Sequence, residues 1–448
     1  MFKRLFFLIL YFLSPLVLTI AIFSSNVTRY SNFKLFVPML LGTISYTWLI
    51  FEFVLSARPK FIERYFGLDK FYRFHGLIAI ISVILVFIHK TLFTGLMGEF
   101  STSEMGDKAW ISFLIVVILA LVFMTDLVVK YFKPLFKFRK LLEKIKIAKY
   151  EYQVAIHNIS IIGLILMFIH VMMTYGAKTN LLIRAIFILY FLIGITFYLY
   201  HKVVRIFILK KNIFIIKELI KESENMYTLN LTPENGRIFS YKPGQFGFIR
   251  ILGKNVNPEE HPFSFSSAPT NKEYISVTIK EIGDFTSSIK NSESGYKVYL
   301  DAPYGTFSYL NYKDEEGIVL ISGGVGITPA LSMLRYIYKN DRSKKAVLIW
   351  GINNQNEIIN REELGRMQKE LKNFKFVPVV YKEDDSWTGE KGIINIDIIQ
   401  RALEKHDINI YKQGYYICGP SIMLNTVLKA LKDMGIKRKY IHYEKFSL

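Results

Sequence analysis

The feature that most constrains this fold is the uneven distribution of apolar residues along the chain. Long apolar runs fill roughly the first 205 residues, whereas the remainder alternates apolar and charged positions. Counting runs of about 20 apolar residues, the length that crosses a bilayer, predicts six spans, near residues 5–23, 35–55, 74–93, 109–129, 153–175 and 181–203. The chain is therefore predicted to be half membrane-embedded and half soluble.

The basic residues indicate how these spans are oriented. The formal net charge is +20. Eight of the basic residues lie in one inter-span loop: Lys130, Lys133, Lys137, Arg139, Lys140, Lys144, Lys146 and Lys149. The loop at 56–73 is also basic, whereas the loop at 94–108 is mildly acidic. Because basic loops remain in the cytoplasm, we expect a multi-pass plasma-membrane protein with both termini and the soluble half inside. Its expected partner is the lipid bilayer and not nucleic acid.

Two of the predicted spans each contain a pair of histidines in apolar surroundings. The segment "FHGLIAIISVILVFIHK" contains His75 and His89, and the segment "HNISIIGLILMFIH" contains His157 and His170. Since the third and fifth spans run in the same direction, His75 and His157 are predicted to lie toward the cytoplasm, and the other two toward the outside. The two levels are roughly 20 Å apart at 1.5 Å per residue. The pattern predicts two b-type haems with two histidine ligands each; hydrogen bonding between helices is the alternative use.

The spacing within the fifth span is awkward for this arrangement. At 100° per residue, the fourteen steps from His75 to His89 fall only about 40° short of whole turns. The thirteen steps from His157 to His170 miss whole turns by about 140°. The fifth span is therefore expected to be distorted, or one of its ligands to reach round the helix, and Gly163 is the expected place for a bulge or kink.

The soluble half begins with a pattern of strands, from about residue 211. Segments such as "MYTLNL" and "YISVTIKE" alternate apolar and polar residues, and "PENG" and "KPGQ" are turn signals, which together predict a small antiparallel barrel. The segment "EGIVLISGGVGITPALSMLRYIYKN" predicts a buried strand, a glycine-rich turn and a helix, as in a pyrophosphate site. The later strands "AVLIWG", "FKFVPVVYK" and "YYICGP" extend this unit to a doubly wound sheet.

Cysteine usage limits the chemistry. Cys418 is the single cysteine of the chain, which excludes an internal disulfide framework and any cysteine-ligated zinc or iron–sulfur site. Redox chemistry in this protein therefore requires bound cofactors.

Five motifs in order over nearly the full length carry a family resemblance. They are the histidine spacings of 14 and 13, "HPFSFSSAP" at 261–269, "GGVGITP" at 323–329, "CGP" at 418–420 and "YEKF" at 443–446. With these motifs the chain resembles the NADPH oxidase and ferric reductase superfamily, in a compact six-span prokaryotic form. The resemblance implies a six-helix transmembrane haem-binding bundle (1–205), a cytoplasmic antiparallel β-barrel FAD domain (206–312) and a doubly wound α/β NAD(P)H-binding domain (313–448).

The resemblance also implies roles for individual residues. The FAD motif is represented by His261, Pro262, Phe263 and Ser264. The family's loop that closes on the FAD phosphates is represented by Gly283, Asp284, Phe285 and Thr286. The nicotinamide dinucleotide, NADPH or NADH, is expected at Gly323, Gly324, Gly326, Thr328 and Pro329, with Cys418, Gly419 and Pro420 beside the nicotinamide. Phe446 is similar to the aromatic residue that covers the flavin, so the expected catalytic residues are Phe446, Cys418 and Ser264.

Two departures from the family pattern concern specificity and the haem bridge. Many NADPH-preferring relatives place an arginine where "WGINNQ" has Asn353, so the preference between NADPH and NADH stays open. Some relatives place an aromatic residue about where Gly163 stands. A bridging aromatic here is expected from another position, Phe168 or Phe87.

The implied function is transmembrane electron transfer. NAD(P)H gives a hydride to FAD, and FAD passes single electrons on through the inner and outer haems. Oxygen, reduced to superoxide, is the favoured acceptor, with Lys90 attracting the anionic product. A ferric chelate or an extracytoplasmic partner is the alternative acceptor. A membrane-anchored flavin reductase without haem, or a proton conductor lined by the histidines, is the alternative of another class.

Overall fold

The computed structural model describes residues 2–25, 33–97, 103–123, 156–382, 387–404 and 408–444, together with five single positions between 134 and 141. The chain divides into two compact units. The first comprises Met1–Ile62 and Lys70–Val204, and the second comprises Glu63–Asp69 and Arg205–Leu448. The short segment Glu63–Asp69 thus groups with the C-terminal half, although the sequence places it between two predicted spans.

The described part of the first unit is helical. Its helices are α1 (Phe2–Ser24), α2 (Phe33–Ser56), α3 (Lys60–Phe66), α4 (Leu68–Met97), α5 (Glu104–Phe123), α6 (Ser160–Met173), α7 (Tyr175–Thr179) and α8 (Leu181–Leu199). The end of α3 and the start of α4 belong to the segment Glu63–Asp69, which groups with the second unit. A π-helical turn, Tyr200–Val204, follows α8. Five stretches are long and apolar enough to cross a membrane: Lys3–Ser24, Lys34–Ser56, Leu68–Leu96, Glu104–Phe123 and Leu181–Lys211. These stretches overlap five of the six predicted spans, and residues 124–129 of the predicted fourth span lie outside the described residues.

The predicted fifth span differs from the expectation. Its helix α6 has 14 residues, fewer than the about 20 that cross a bilayer, and residues 151–155 lie outside the described part of the chain. A turn at Asn158 and Ile159 separates His157 from α6.

The kink predicted at Gly163 is wrong. Gly163 is buried inside α6, where an added Cβ would come within 3.1 Å of the Phe113 ring on α5. The missing side chain therefore allows α5 and α6 to approach each other, and the helix is interrupted one turn earlier, at Asn158 and Ile159.

Tyrosine hydroxyl groups connect the helices of the first unit. Tyr46 on α2 donates a hydrogen bond of 2.8 Å to the carbonyl of Phe187 on α8. Tyr190 on α8 donates to the carbonyl of Ser14 on α1 at 2.5 Å. Both tyrosines are buried among apolar side chains, so their hydroxyl groups satisfy the usual need of a buried phenol for a hydrogen-bond partner.

The second unit contains an antiparallel barrel, as predicted. Helix α9 (Arg205–Lys211) precedes the strands β1 (Ile213–Ser223), β2 (Met226–Pro233), β3 (Phe246–Leu252), β4 (His261–Ser264), β5 (Ile275–Lys280) and β6 (Lys297–Tyr304), with helix α10 (Asp284–Ser288) after β5. Their order is β4-β3-β6-β1-β2-β5. A bridge between Phe265 and Val277 joins the two ends of the sheet, and both side chains are fully buried in the barrel core.

The predicted doubly wound sheet follows. Its strands are β7 (Gly317–Gly323), β8 (Lys345–Ile352), β9 (Phe374–Val380), β10 (Glu390–Lys391), β11 (Gln413–Cys418) and β12 (Ile441–Glu444). Its helices are α11 (Ile327–Asn340), α12 (Arg361–Glu370), α13 (Ile396–Glu404) and α14 (Ser421–Asp433). The strands run parallel in the order β10-β9-β8-β7-β11-β12. Helices α11 and α12 contribute to the core on one face, and α13 and α14 to the core on the other.

Candidate functional site

The strand order of the parallel sheet creates a crevice between β7 and β11. The chain proceeds from β7 toward one edge of the sheet and later from β11 toward the other. Ligands of open α/β sheets bind at such a switch point, beside the carboxyl ends of the strands. Ser322 on β7 lies opposite Cys418 on β11, so the fold brings together the two predicted segments "GGVG" and "CGP".

Glycines allow the turns after β7 and β11 to touch. A Cβ built on Gly326 would lie 2.3 Å from the carbonyl oxygen of Cys418, and one on Gly419 would lie 2.6 Å from the methyl group of Met423. Gly324 has a φ of +54°, a conformation that favours glycine. The indole of Trp350 fixes this turn by donating to the Gly324 carbonyl at 2.9 Å.

The remaining residues predicted to hold the dinucleotide shape these turns. Thr328 is buried, and its hydroxyl donates to the Val325 carbonyl at 3.1 Å. Pro329 lies in the first turn of α11, where a missing backbone N–H removes no helical hydrogen bond. Gly323 faces Met423, and Pro420 directly precedes α14.

The predicted FAD motif lies on β4, where three rings converge. His261 and Pro262 pair with Ile249 and Phe248 on β3. The ring of Phe285, from the predicted phosphate loop, lies 4.4 Å from the His261 ring and 6.0 Å from the Phe263 ring, centre to centre. The structure therefore joins "HPFS" to the "GDFT" loop that follows β5.

The next residue of the motif is suited to meet a ligand. Ser264 is buried, and its hydroxyl group has no hydrogen-bond partner among the described residues. A buried hydroxyl without a partner is costly. A bound group beside β4 would satisfy it, which fits the flavin contact that the resemblance implies.

The loop at Gly283 is stabilised from within. The Thr286 hydroxyl accepts hydrogen bonds of 2.9 Å from the backbone N–H groups of Ile282 and Gly283. The same hydroxyl donates to the Gly283 carbonyl at 3.0 Å. Thr286 therefore holds the loop in shape, and Asp284 begins the short helix α10.

Sequence reasoning missed one residue beside Cys418. Glu444 lies opposite Cys418 across β11 and β12, and its Oε2 atom is buried without a partner among the described residues. Burial, assisted by the carboxyl groups of Asp69 and Glu63, raises the pKa of Glu444 well above its ordinary range. Burial likewise raises the pKa of the Cys418 thiol. The motif "YEKF" predicts a role for Phe446, which lies outside the described residues. The same motif contains Glu444, to which the sequence alone assigns no role.

The segment Glu63–Asp69 is a second part of the site that no sequence pattern predicts. The backbone N–H of Gly305 donates to Glu63 at 3.0 Å. Gly67, with a φ of +79°, lies against the side chain of Thr306. This segment thus packs on the loop after β6 and brings two carboxyl groups, those of Glu63 and Asp69, into the surroundings of Glu444.

The first unit brings the predicted inner pair of histidines together. The ring centres of His75 on α4 and His157 lie 6.1 Å apart, with planes inclined at 62°. A metal–imidazole bond is about 2.0 Å long, so this separation has room for one metal ion between the two rings. The outer histidines each lie against a glycine of a neighbouring helix, His89 against Gly42 and His170 against Gly106.

The two histidines of α4 each have an oxygen atom of α2 beside Nδ1. His75 Nδ1 pairs with Oε2 of Glu52, and His89 Nδ1 lies 2.7 Å from the Pro38 carbonyl oxygen. Histidine ligands of metals usually donate the other ring N–H to such a partner. With Nδ1 engaged in this way, Nε2 of each ring is the nitrogen that would ligate a haem iron. The Nδ1 atoms of His157 and His170 have no hydrogen-bond partner in the described part of the chain.

Tight winding before α6 accounts for part of the awkward spacing. The N–H groups of Ile159, Ile161 and Ile162 bond to the carbonyl three residues earlier. This winding turns about 120° per residue rather than 100°. Each residue wound in this way recovers about 20° of the predicted shortfall of about 140°, so the distortion expected in the fifth span is present, at a different position.

Lys90 and Asn353, which the sequence linked to the acceptor and to the nicotinamide dinucleotide, each have a carboxylate neighbour. Lys90 is paired with Asp107 at 2.9 Å, so its charge is balanced and it is a weaker attractor of anions than we expected. Asn353 donates to Glu357 at 3.2 Å, which places a carboxylate next to the position where relatives carry an arginine.

Phe87 and Phe168 have aromatic neighbours. Phe87 stacks on Trp110 with ring centres 5.7 Å apart, and Phe168 stacks on Phe191 at 4.0 Å. Either residue as a bridge between haems stays a prediction.

Comparisons with known proteins identify the C-terminal half. Residues 210–308 match the family model of an FAD-binding domain, and residues 320–429 match that of the oxidoreductase NAD-binding domain. A flavohemoprotein of Bacillus cereus is 30% identical over 247 residues, which cover 52% of this chain and 60% of that protein. The reductase component of propane 2-monooxygenase of Mycolicibacterium smegmatis is 24% identical over 229 residues, 50% of this chain and 65% of that protein.

A solved structure, the FAD/NAD binding domain of nitric oxide dioxygenase from Vibrio cholerae, is 24% identical, with a TM-score of 0.46 over 52% of this chain and 98% of that one. The chain spans about 60% of the length of the first curated relatives. By the two family models, residues 210–308 of this protein carry an FAD-binding domain and residues 320–429 an oxidoreductase NAD-binding domain.

Proposed function

We propose that this protein transfers electrons from NAD(P)H, through FAD and two b-type haems, across a membrane to an acceptor on the outer side. The observation that carries the proposal is the placement of His75 and His157, whose ring centres lie 6.1 Å apart in a helical unit. The same chain carries FAD- and NAD-binding domains, which supply a source of electrons for such a site.

FAD, when bound, accepts a hydride and releases single electrons, which is the conversion that a haem acceptor requires. The chain's own part is to hold the reacting groups. The crevice between Gly323 and Cys418 is suited to the dinucleotide, and the rings of His261, Phe263 and Phe285 line the predicted flavin motif. The buried carboxyl group of Glu444, whose raised pKa favours its protonated form, lies next to Cys418.

Exposed apolar side chains on the helices support a membrane environment. On α1, Leu10, Val17 and Ile20 are 56%, 57% and 62% exposed. On the same helix Leu18 and Ile22 are buried. A helix that is apolar both toward its neighbours and toward its surroundings is typical of lipid contact.

The balanced charges near the outer histidines favour oxygen as the acceptor. Lys90 pairs with Asp107 at 2.9 Å, and Lys108 pairs with Glu104 at 2.5 Å. Among the residues that the structure describes in this region, these paired charges present neither a strong anionic nor a strong cationic docking site. An uncharged acceptor such as oxygen, giving superoxide, fits this region better than a charged ferric chelate.

The visible spectrum of the purified protein tests the proposal. We expect b-type haem bands that weaken by about half when His75→Ala or His170→Ala removes a ligand of one of two haems. His201→Ala, in the same unit but outside the four predicted ligands, is the matched control and should retain the bands. Absence of haem bands, or bands unchanged in both ligand variants, would refute the haem pathway and leave a flavin reductase without haem.

The acceptor is tested with the same preparation. Superoxide formation and the reduction of a ferric chelate are measured separately, each with NADH and with NADPH. Superoxide as the main product supports oxygen as the acceptor, whereas ferric reduction that outcompetes oxygen at equal acceptor concentration contradicts it.

A further inference from the structure

Glu52 is a carboxylate in an unusual place. It lies on α2, inside a stretch long and apolar enough to cross a membrane, and its side chain is only 7% exposed. Ionisable groups in such positions are costly, and they persist where they are paired and have a function. Neither the flavin site nor the nicotinamide site, which lie in the other unit, accounts for Glu52.

Both oxygens of Glu52 contact polar groups of other helices. Tyr11 on α1 donates its hydroxyl to Oε1 at 3.0 Å. Oε2 pairs with Nδ1 of His75 on α4. A tyrosine hydroxyl and a ring N–H each supply a proton, so this arrangement suits a carboxylate that accepts at both oxygens.

The outer histidine of α4 has a different partner. His89 Nδ1 lies 2.7 Å from the backbone carbonyl oxygen of Pro38. Pro38 and Glu52 are fourteen residues apart on α2, as are His75 and His89 on α4. Helix α2 thus supplies the Nδ1 partner of both histidines, a carboxylate at one level and a neutral carbonyl at the other.

We infer that Glu52 is a positioning residue of His75 that lowers the reduction potential of the inner haem below that of the outer haem. The inference rests on the proposed function. A carboxylate partner raises the basicity of a ligating imidazole more than a neutral carbonyl does, and a more basic ligand stabilises the oxidised iron. An inner site of lower potential passes its electron to an outer site of higher potential, so the pairing favours outward transfer.

Tyr11 moderates this effect. Its hydrogen bond to Oε1 withdraws negative charge from the carboxylate that accepts from His75. Loss of the Tyr11 hydroxyl should therefore strengthen the interaction of Glu52 with His75, whereas loss of the Glu52 charge should weaken it. The two substitutions are expected to shift the potential in opposite directions, which distinguishes tuning from a purely structural connection between helices.

Redox titration of the haem absorption bands tests the inference in the full-length protein. In a His89→Ala background, which retains the inner pair of ligands, we expect Glu52→Gln to raise the midpoint potential and Tyr11→Phe to lower it. In a His157→Ala background, which retains the outer pair, we expect Glu52→Gln to leave the potential unchanged. Shifts of the same sign for both substitutions, no shift in the first background, or an equal shift in both backgrounds would overturn the inference.

A second variant covers the case in which Glu52→Gln fails to retain the inner haem. Glu52→Asp keeps the charge, and Tyr11→Phe keeps Glu52 itself. A potential that is lowered by Tyr11→Phe and retained by Glu52→Asp then supports the inference, and any upward shift in Tyr11→Phe contradicts it. Absence of haem from the unsubstituted protein is a different result, because it refutes the proposed function itself.

Discussion

The Nδ1 atom of His89 lies 2.7 Å from the carbonyl oxygen of Pro38, and one helical turn further along α2 the same imidazole lies against Gly42. A Cβ built on Gly42 would come within 2.9 Å of the His89 ring. His170 has a similar neighbour on α5, since a Cβ on Gly106 would lie 2.8 Å from its Nδ1. Both predicted outer ligands are therefore positioned against glycines of adjacent helices.

The first prediction concerns these two glycines. Gly42→Ala and Gly106→Ala should displace the rings of His89 and His170 and weaken binding of the proposed outer haem by roughly tenfold or more. The haem-to-protein ratio and the haem spectrum measure the effect. Gly95→Ala on α4, where an added Cβ has no neighbour within 4 Å among the described residues, is the control. Equal loss in the control would show a general effect on folding.

The second prediction concerns the crevice between β7 and β11. Because a Cβ on Gly326 would lie 2.3 Å from the Cys418 carbonyl, Gly326→Ala must separate the two turns and should destabilise the second unit by about 1–3 kcal/mol. Thermal unfolding followed by flavin fluorescence measures this change, and titration with NADH measures binding. Gly365→Ala, in an open position of α12, should instead be neutral or stabilise by up to about 1 kcal/mol.

The third prediction concerns pH. Burial raises the pKa of Glu444 above its ordinary value of 4.5, so above that pH the unfolded chain releases a proton that the folded chain retains. Stability contributed by this group should fall as pH rises from 4.5 toward the raised pKa. Glu444→Gln should flatten this part of the profile, measured by denaturant unfolding at several pH values; a profile with unchanged slope would contradict the assignment.

The fourth prediction concerns Arg335 on α11, which supports the predicted flavin segment. Its guanidinium group donates to the Ser266 carbonyl at 2.7 Å and pairs with Glu363 at 2.6 Å. Lysine cannot make both contacts in the same geometry, so Arg335→Lys should weaken FAD binding by about 1–3 kcal/mol. Equilibrium titration with FAD measures the loss. Arg342→Lys, at an exposed pair with Glu370, should change it by less than about 0.5 kcal/mol.

Much of the fold follows from local sequence patterns. Alternation of apolar residues predicted the barrel, and the strand, glycine turn and helix at 316–340 predicted the parallel sheet, because the period of a pattern depends on the geometry of its own element. The pairing of His75 with His157 was predicted as well, from equal depth on two parallel spans. The domain boundaries and the roles of the individual site residues remain predictions.

Contacts between distant segments were decided by the tertiary structure alone. Nothing in the sequence around Glu52 indicates that it meets His75, and nothing in the loop containing Glu63 indicates that it lies near Glu444. Likewise, the sequence alone does not indicate that Gly163 lies against Phe113 or that the turn comes before α6, at Asn158 and Ile159. Propensity and spacing specify which element a residue joins, whereas the partner of a buried polar group depends on which elements pack together.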